Sequence, residues 1–304
     1  MTASAAAVLS PIETAIDRVK RVYGSWRRDT PVAQMRTDWD RLFWSDTIAA
    51  DTQSVLMGGV DGLWVTAPKA DPTRILIYFH GGGYKLGSVR SHLDLMARIS
   101  VAAHCRVLGV DYRLAPEHQF PAPVHDAVAV YEGLLAVGLC ERRIAFAGDS
   151  AGGGLLAAAV LALRERNLHL PVAAVMLSAW TDLTAESDSY VTRADADPIH
   201  QRSMILGTAR SYLGDVGDPR NPLASPLFGD LRGFPPVLLQ VGDRETVLDD
   251  SKRFAEKARA AGVDVEIEVY DNMIHVFQQF AEIVPEAQQA IDSIGRFLIE
   301  KWSR

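Results

Sequence analysis

Through the first 45 or so residues, apolar positions recur at spacings of three and four. The runs "PIETAIDRVKRVYGSWRR" and "PVAQMRTDWDRLFW" carry this pattern, which predicts two amphipathic helices. Two strand-length runs follow, "TQSVLMG" and "GLWVTAP", parted by the turn-forming "GVDG". From Arg74 the rhythm changes. The runs "ILIYF", "RVLGV", "RIAFAG", "VAAVMLS" and "PVLLQVG" are too short for helices and are bounded by Gly, Pro or Asp. Helical patterns lie between them: "SHLDLMARISVAAH", "PVHDAVAVYEGLLAVG", "GGGLLAAAVLALRERN" and "DSKRFAEKARAAG". Apolar strands alternating with amphipathic helices predict an α/β fold with a parallel sheet covered on both faces. A last strand, "VDVEIEVY", alternates apolar and acidic positions as a sheet edge with one wet side would. A helix from Pro285 to Trp302 closes the pattern, for about eight strands in a doubly wound sheet.

Residues 180–233 interrupt the alternation. They hold "TDLTAESDSYVTRADADPIH", a helical "QRSMILGTARSYLG" and a proline-rich "DPRNPLASPLFGDLRGFPP". A strand-to-helix connection needs far fewer residues, so this stretch reads as a functional segment such as a lid.

Composition narrows the classes. The 304 residues are 48% hydrophobic and 23% charged, enough to bury a sizeable core. The net charge of −7, with no basic block, speaks against nucleic acid or an anionic membrane as partner. The N-terminal stretch lacks the basic and apolar regions of a signal peptide, and no run approaches the ~18 apolar residues of a membrane span. The expectation is a soluble, cytoplasmic protein. Cys105 and Cys140 lie in apolar surroundings and are expected to be buried, reduced thiols.

The strongest motif is "AFAGDSAGGGLLAAAV", which sets G-x-S-x-G at Gly148 to Gly152 between a strand and an alanine-rich helix. A serine on so sharp a turn exposes its Oγ, and small neighbours relieve the crowding. Ser150 is therefore the candidate nucleophile, and the helix start offers an amide and a positive dipole end to a developing oxyanion. Earlier, "ILIYFHGGGYKLGS" places three glycines after His80. It lacks the lysine of a phosphate loop and fits an oxyanion hole better, with the amides of Gly82 and Gly83 beside that of Ala151.

A serine nucleophile needs a base, and eight histidines compete. With the chain order serine, acid, histidine, His275 in "VYDNMIHVFQQF" follows the final strand and qualifies. His169 ends a helix and His200 lies in the insertion. His80 reads as a buttress of the glycine loop, and His92, His104, His118 and His125 as structural or exposed. No H-E-x-x-H or Cys/His ligand spacing appears, so no metal is expected.

Together these motifs resemble the hormone-sensitive-lipase-like branch of the α/β-hydrolases, the bacterial family IV esterases, over about Ile75 to Phe277. "DYRLAPEHQFPAPVHDAV" is the most diagnostic piece, with "HGGGY" and "GDSAGGG" matching in order and spacing. The resemblance implies a carboxylic-ester hydrolase with a Ser–His–acid triad, no cofactor and a preference for short to medium acyl chains. It also implies a cap from the N-terminal helices and the insertion. Residues 1–45 and 180–233 would then be cap, and 46–179 with 234–304 the catalytic core. Dimerisation through the last strand is implied too, although the acidic side chains of "VEIEVY" could equally discourage pairing.

The family's Asp-Pro-Leu motif is missing. Aligning "ETVLDD" on it puts Glu245 at the acid position, 30 residues before His275. Asp243 is a rival, nearer the strand end and shorter. Asp249 and Asp250 open a helix and would favour its dipole or cap its amides. Pocket candidates are Tyr84, Trp180, Met204, Leu206 and Tyr212, unless they simply pack the cap on the core. The same triad could serve a lactone, carbamate or amide hydrolase, and a non-catalytic small-molecule receptor is a further alternative.

Overall fold

The structure is a computed structural model that describes residues 9–45 and 47–303. Eight strands form one sheet: β1 (Asp51–Met57), β2 (Val60–Thr66), β3 (Asp71–Phe79), β4 (Cys105–Val110), β5 (Ile144–Asp149), β6 (Ala174–Leu177), β7 (Val237–Gly242) and β8 (Val265–Tyr270). Their order is β1-β2-β4-β3-β5-β6-β7-β8. Strand β2 runs antiparallel to both β1 and β4, and every other pairing is parallel.

The period-2 alternation of a strand explains the two layers around this sheet. On β3, Ile75, Ile77 and Phe79 face one cluster, while Leu76 and Tyr78 face the other. The first cluster is closed by α4 (Ala122–Ala136), α5 (Ala151–Glu165) and α8 (Leu248–Ala260), the second by α3 (Leu93–Ala103) and α9 (Pro285–Trp302). Both faces of the central strands are dry, and β5, β6 and β7 are buried along their whole length. At roughly 1.5–3 kcal/mol for each large apolar side chain, these layers dominate the stabilisation of the scaffold. Among the described residues no helix is long and apolar enough to cross a membrane.

Three helices and one short turn lie outside the layers. Helix α1 (Pro11–Ser25) is capped by Ser10 and buries Ala15, Ile16 and Val19 against Met273, Ile274, Phe277 and Phe280, the segment that carries His275. Helix α2 (Val32–Phe43) has no fully buried residue. It is tied down by Arg36, which donates to Glu117 and to the carbonyls of Lys85 and Ala115. In the insertion, a single turn α6 (Ser189–Thr192) precedes α7 (Arg202–Leu213). The proline-rich tail that follows lies along the core: Leu227, Leu231 and Phe234 join the first cluster, and Arg164 and Lys257 donate to its carbonyls.

Two expectations need correction here. Cys105 is buried but Cys140 is exposed, because it sits in the turn between α4 and β5 rather than in a strand. Asp249 and Asp250 lie in the first turn of α8 as expected, but their side chains do not cap its amides. Asp249 accepts the Ser189 amide at 2.8 Å, and Asp250 accepts those of Thr181 and Asp182 at 2.9 Å each. The insertion passes close enough to offer three amides, and a buried N–H without a partner costs more than a weakened cap.

Candidate active site

Strand β5 ends at Asp149, and α5 starts at Ala151 with no connecting loop. Ser150 alone makes the turn, at φ 52° and ψ −120°. That backbone conformation costs a non-glycine residue about 1–3 kcal/mol and survives only where the surroundings enforce it. Here the Ser150 amide is held by the Leu177 carbonyl at 2.8 Å, and its carbonyl accepts the Trp180 amide at 2.9 Å. The turn also brings α5 against the end of β3. A Cβ on Gly152 would run into the Phe79 carbonyl, so only glycine permits the approach.

The Ser150 hydroxyl meets the candidate base directly. Ser150 Oγ lies 2.8 Å from His275 Nε2, and His275 Nδ1 lies 2.7 Å from Glu245 Oε2. The other carboxylate oxygen of Glu245 accepts the Gly242 amide at 2.5 Å and the Ser178 hydroxyl at 2.7 Å. Ser178 Oγ in turn accepts the Val276 amide at 3.0 Å, binding the acid's loop to the histidine's loop. Glu245 is fully buried. Burial pulls the His275 imidazole down. The hydrogen bond and charge of Glu245, with Asp197 and Asp149 behind, outweigh this and hold it above its ordinary value. The rival Asp243 faces away from the imidazole and accepts the Asn272 amide at 2.7 Å, fixing the turn after β8.

On the other side of Ser150 the glycine loop supplies donors. Gly82 and Gly83 sit at φ 113° and 65°, and a Cβ on Gly82 would enter the Leu86 carbonyl. Among the described residues nothing accepts from either amide. The loop is fixed from beneath by Asp149, whose Oδ1 accepts the Gly81 amide at 3.0 Å and the Tyr78 hydroxyl at 2.8 Å. Burial alone would raise the Asp149 carboxyl; the buried His92 beside it and the Tyr78 hydroxyl hold it below the ordinary range. His80 turns its Nδ1 to the Gly81 carbonyl and stacks on Tyr112 at 4.4 Å.

These groups open onto a cavity of about 200 Å³. Its wall is apolar and aromatic: Tyr23, Trp26 and Trp39 come from the N-terminal helices and the turn between them, and Phe280 from the segment after His275. The Tyr23–Trp39 and Trp39–Phe43 ring pairs stand 5.8 and 4.9 Å apart.

The model of the alpha/beta hydrolase fold matches residues 76–279. An acetyl-hydrolase of Streptomyces hygroscopicus is 43% identical over 244 residues, 80% of this chain and 81% of that protein. An esterase of Acinetobacter venetianus is 37% identical over 80% of each chain. The crystal structure of an esterase from the bacterial hormone-sensitive lipase family superposes with a TM-score of 0.94 at 43% identity, covering 98% of this chain and 100% of that one. The chain belongs to the hormone-sensitive lipase family of α/β-hydrolase-fold esterases.

Within that family frame, the pocket expectations divide. Trp180 and Met204 line the cavity, together with Ile205 and Thr208 of α7. Tyr84, Tyr212 and Leu206 do not. Tyr84 and Tyr212 are fully buried and stack flat on each other at 3.7 Å, filling the junction between the glycine loop and the far end of α7. Leu206, ~200° around the helix from Met204 at 100° per residue, packs against the core cluster. Trp44 is half exposed and off the cavity, whereas Trp26 and Trp39 line it. Sequence reasoning passed over Ser178, Asp149 and Asp197. Asp149 was visible as the variable residue of G-x-S-x-G, but Ser178 and Asp197 carry no motif and are recruited only by contact.

Proposed function

We propose that the chain hydrolyses carboxylic esters with short to medium acyl groups through Ser150, His275 and Glu245. Ser150 Oγ attacks the ester carbonyl while His275 Nε2 takes its proton. Glu245 keeps the other ring nitrogen protonated and stabilises the imidazolium. The amides of Gly82, Gly83 and Ala151 receive the tetrahedral oxyanion, each such donor lowering the barrier by about 3–4 kcal/mol. His275 then protonates the leaving alcohol, and water repeats the cycle on the acyl-enzyme. The observation that carries this reading is the unbroken chain from Ser150 Oγ to His275 to Glu245, at 2.8 and 2.7 Å, opening on an apolar cavity. The similarity to an acetyl-hydrolase supports small acyl groups.

The test is Ser150→Ala against p-nitrophenyl acetate, butyrate, octanoate and laurate. Hydrolysis should fall to background, and the parent protein should prefer the shorter chains. Undiminished hydrolysis by the variant would overturn the mechanism. Faster turnover of a lactone, carbamate or anilide than of any ester would move the assignment to that substrate. We also propose a homodimer joined along the free edge of β8. A monomer mass in sedimentation equilibrium at micromolar concentration would refute it.

A further inference from the structure

Beside the general base stands a second histidine to which the acyl-transfer steps give no task. The ring of His200 lies 4.4 Å from that of His275 and nearly perpendicular to it, and both line the cavity. His200 reaches this place from the loop ahead of α7, and that loop is firmly anchored. Asp197 Oδ1 accepts the amides of Ile199 and His200 at 2.9 Å each. Its Oδ2 accepts the amide and hydroxyl of Thr246, the neighbour of Glu245, at 2.8 and 3.0 Å.

The two ring nitrogens of His200 differ. Nδ1 is buried and has no hydrogen-bond partner among the described residues; the nearest charge is the Asp197 carboxylate, at 3.9 Å. Nε2 has no hydrogen-bond partner among the described residues and is not among the buried polar atoms, and the ring it belongs to lines the cavity. Burial and the neighbouring His275 push the imidazole down to about 3, which keeps it neutral. A neutral imidazole carries one proton, and the negative charge of Asp197 draws it to Nδ1. A lone pair on Nε2 then faces a largely apolar cavity. In such a pocket the few polar groups fix orientation and select the ligand.

Direction follows from the chemistry. The base returns its proton to the leaving alcohol, so the alcohol lies alongside His275, within reach of the His200 ring 4.4 Å away. We propose that His200 is a specificity residue for the alcohol part of the ester. Its Nε2 accepts a hydrogen bond from a hydroxyl or N–H carried by that alcohol, which makes esters of diols and polyols the favoured class over simple alkyl esters. This rests on the acyl-transfer reading above.

The experiment compares kcat/KM for 2-hydroxyethyl, propyl and 2-methoxyethyl butyrate. The propyl ester matches the first in size, and the methoxyethyl ester matches its inductive effect but cannot donate. The hydroxyethyl ester should be preferred about tenfold over both, the range of one hydrogen bond partly open to water. In His200→Leu the ratios should collapse toward unity, while His200→Gln, which retains an acceptor oxygen, should keep part of the preference. Should His200→Leu not accumulate in folded form, His200→Met is read in its place. Equal rates for the hydroxyethyl and methoxyethyl esters, or the parent ratio persisting in the Leu or Met variant, would overturn the proposal. So would an equal loss on all three esters, which would make His200 a support for His275. Failure of the acyl-transfer reading is distinct: propyl butyrate hydrolysis would survive Ser150→Ala.

Discussion

Replacing Glu245 by glutamine probes the most consequential contact in the site, because the structure dictates how the amide must sit. The oxygen facing Gly242 N–H and the Ser178 hydroxyl receives two donors. The glutamine carbonyl must take that place, since its NH2 there would meet a backbone N–H head on. The NH2 is left at the position of Oε2, 2.7 Å from His275 Nδ1. It can only donate, so Nδ1 must accept and the ring proton moves to Nε2. The imidazole then offers Ser150 Oγ a proton where it should take one. The equivalent acid-to-amide change in the serine-protease triad lowers kcat by about 10⁴ through the same wrong tautomer. A loss of about 10³–10⁴ is expected here, or ~4–5.5 kcal/mol at 1.36 kcal/mol per decade. Asp243→Asn is the matched control. Its amide oxygen can still accept the Asn272 N–H, and kcat should stay within about threefold. Steady-state hydrolysis of p-nitrophenyl butyrate, with circular dichroism to establish folding, reads both. A larger loss in Asp243→Asn than in Glu245→Gln, or a loss under tenfold in the latter, would refute the reasoning.

Three further outcomes are expected. His275 must be neutral to accept a proton, and Glu245 holds it above the ordinary imidazole value near 6.5. The rate should therefore fall as pH drops through a midpoint above that value, and a midpoint under pH 6 in kcat/KM would contradict the assigned pairing. Gly82→Ala would force a Cβ into the Leu86 carbonyl at φ 113° and turn the proposed oxyanion donor aside. Its kcat should drop by about 10²–10³ with a smaller change in KM, whereas a raised KM at unchanged kcat would point to substrate binding instead. Burial and the neighbouring Asp182 hold the Asp250 carboxyl well above the usual range. The folded protein then binds this proton more tightly than the unfolded chain does. The stabilisation it contributes is present below the unfolded value near 3.8 and is lost as pH rises toward the folded one. Asp250→Asn, whose oxygen can keep both amides, should raise Tm at pH 8 by ~2 °C, about 1 kcal/mol, and by less at pH 4.5. Equal shifts at both pH values would show that the carboxyl's charge is not the cause.

What the sequence determined by itself is local chemistry and period. The eight strands were legible because short apolar runs bounded by breakers leave few alternatives, and the parallel core because helices alternate with those strands. The glycine loop and the serine turn were legible because close backbone approach and an exposed Oγ demand small residues at fixed positions. The order serine, acid, histidine singled out His275, but the sequence left two acids at the end of β7. Their difference is one of direction: Glu245 turns inward beneath His275 and Asp243 outward to Asn272. No residue type or spacing encodes that. The insertion was recognisable by its length alone, and only packing decided what each part does. Asp249 and Asp250 look like helix caps until the insertion arrives with unpaired amides, and Tyr84 and Tyr212 look like pocket residues until they meet each other. His200 looked like one lid residue among many. Long-range contact puts its ring 4.4 Å from His275. The physical reason is common to all of these: a side chain's role is set by the partner that desolvates it, and such partners come from chain segments that only the folded structure brings together.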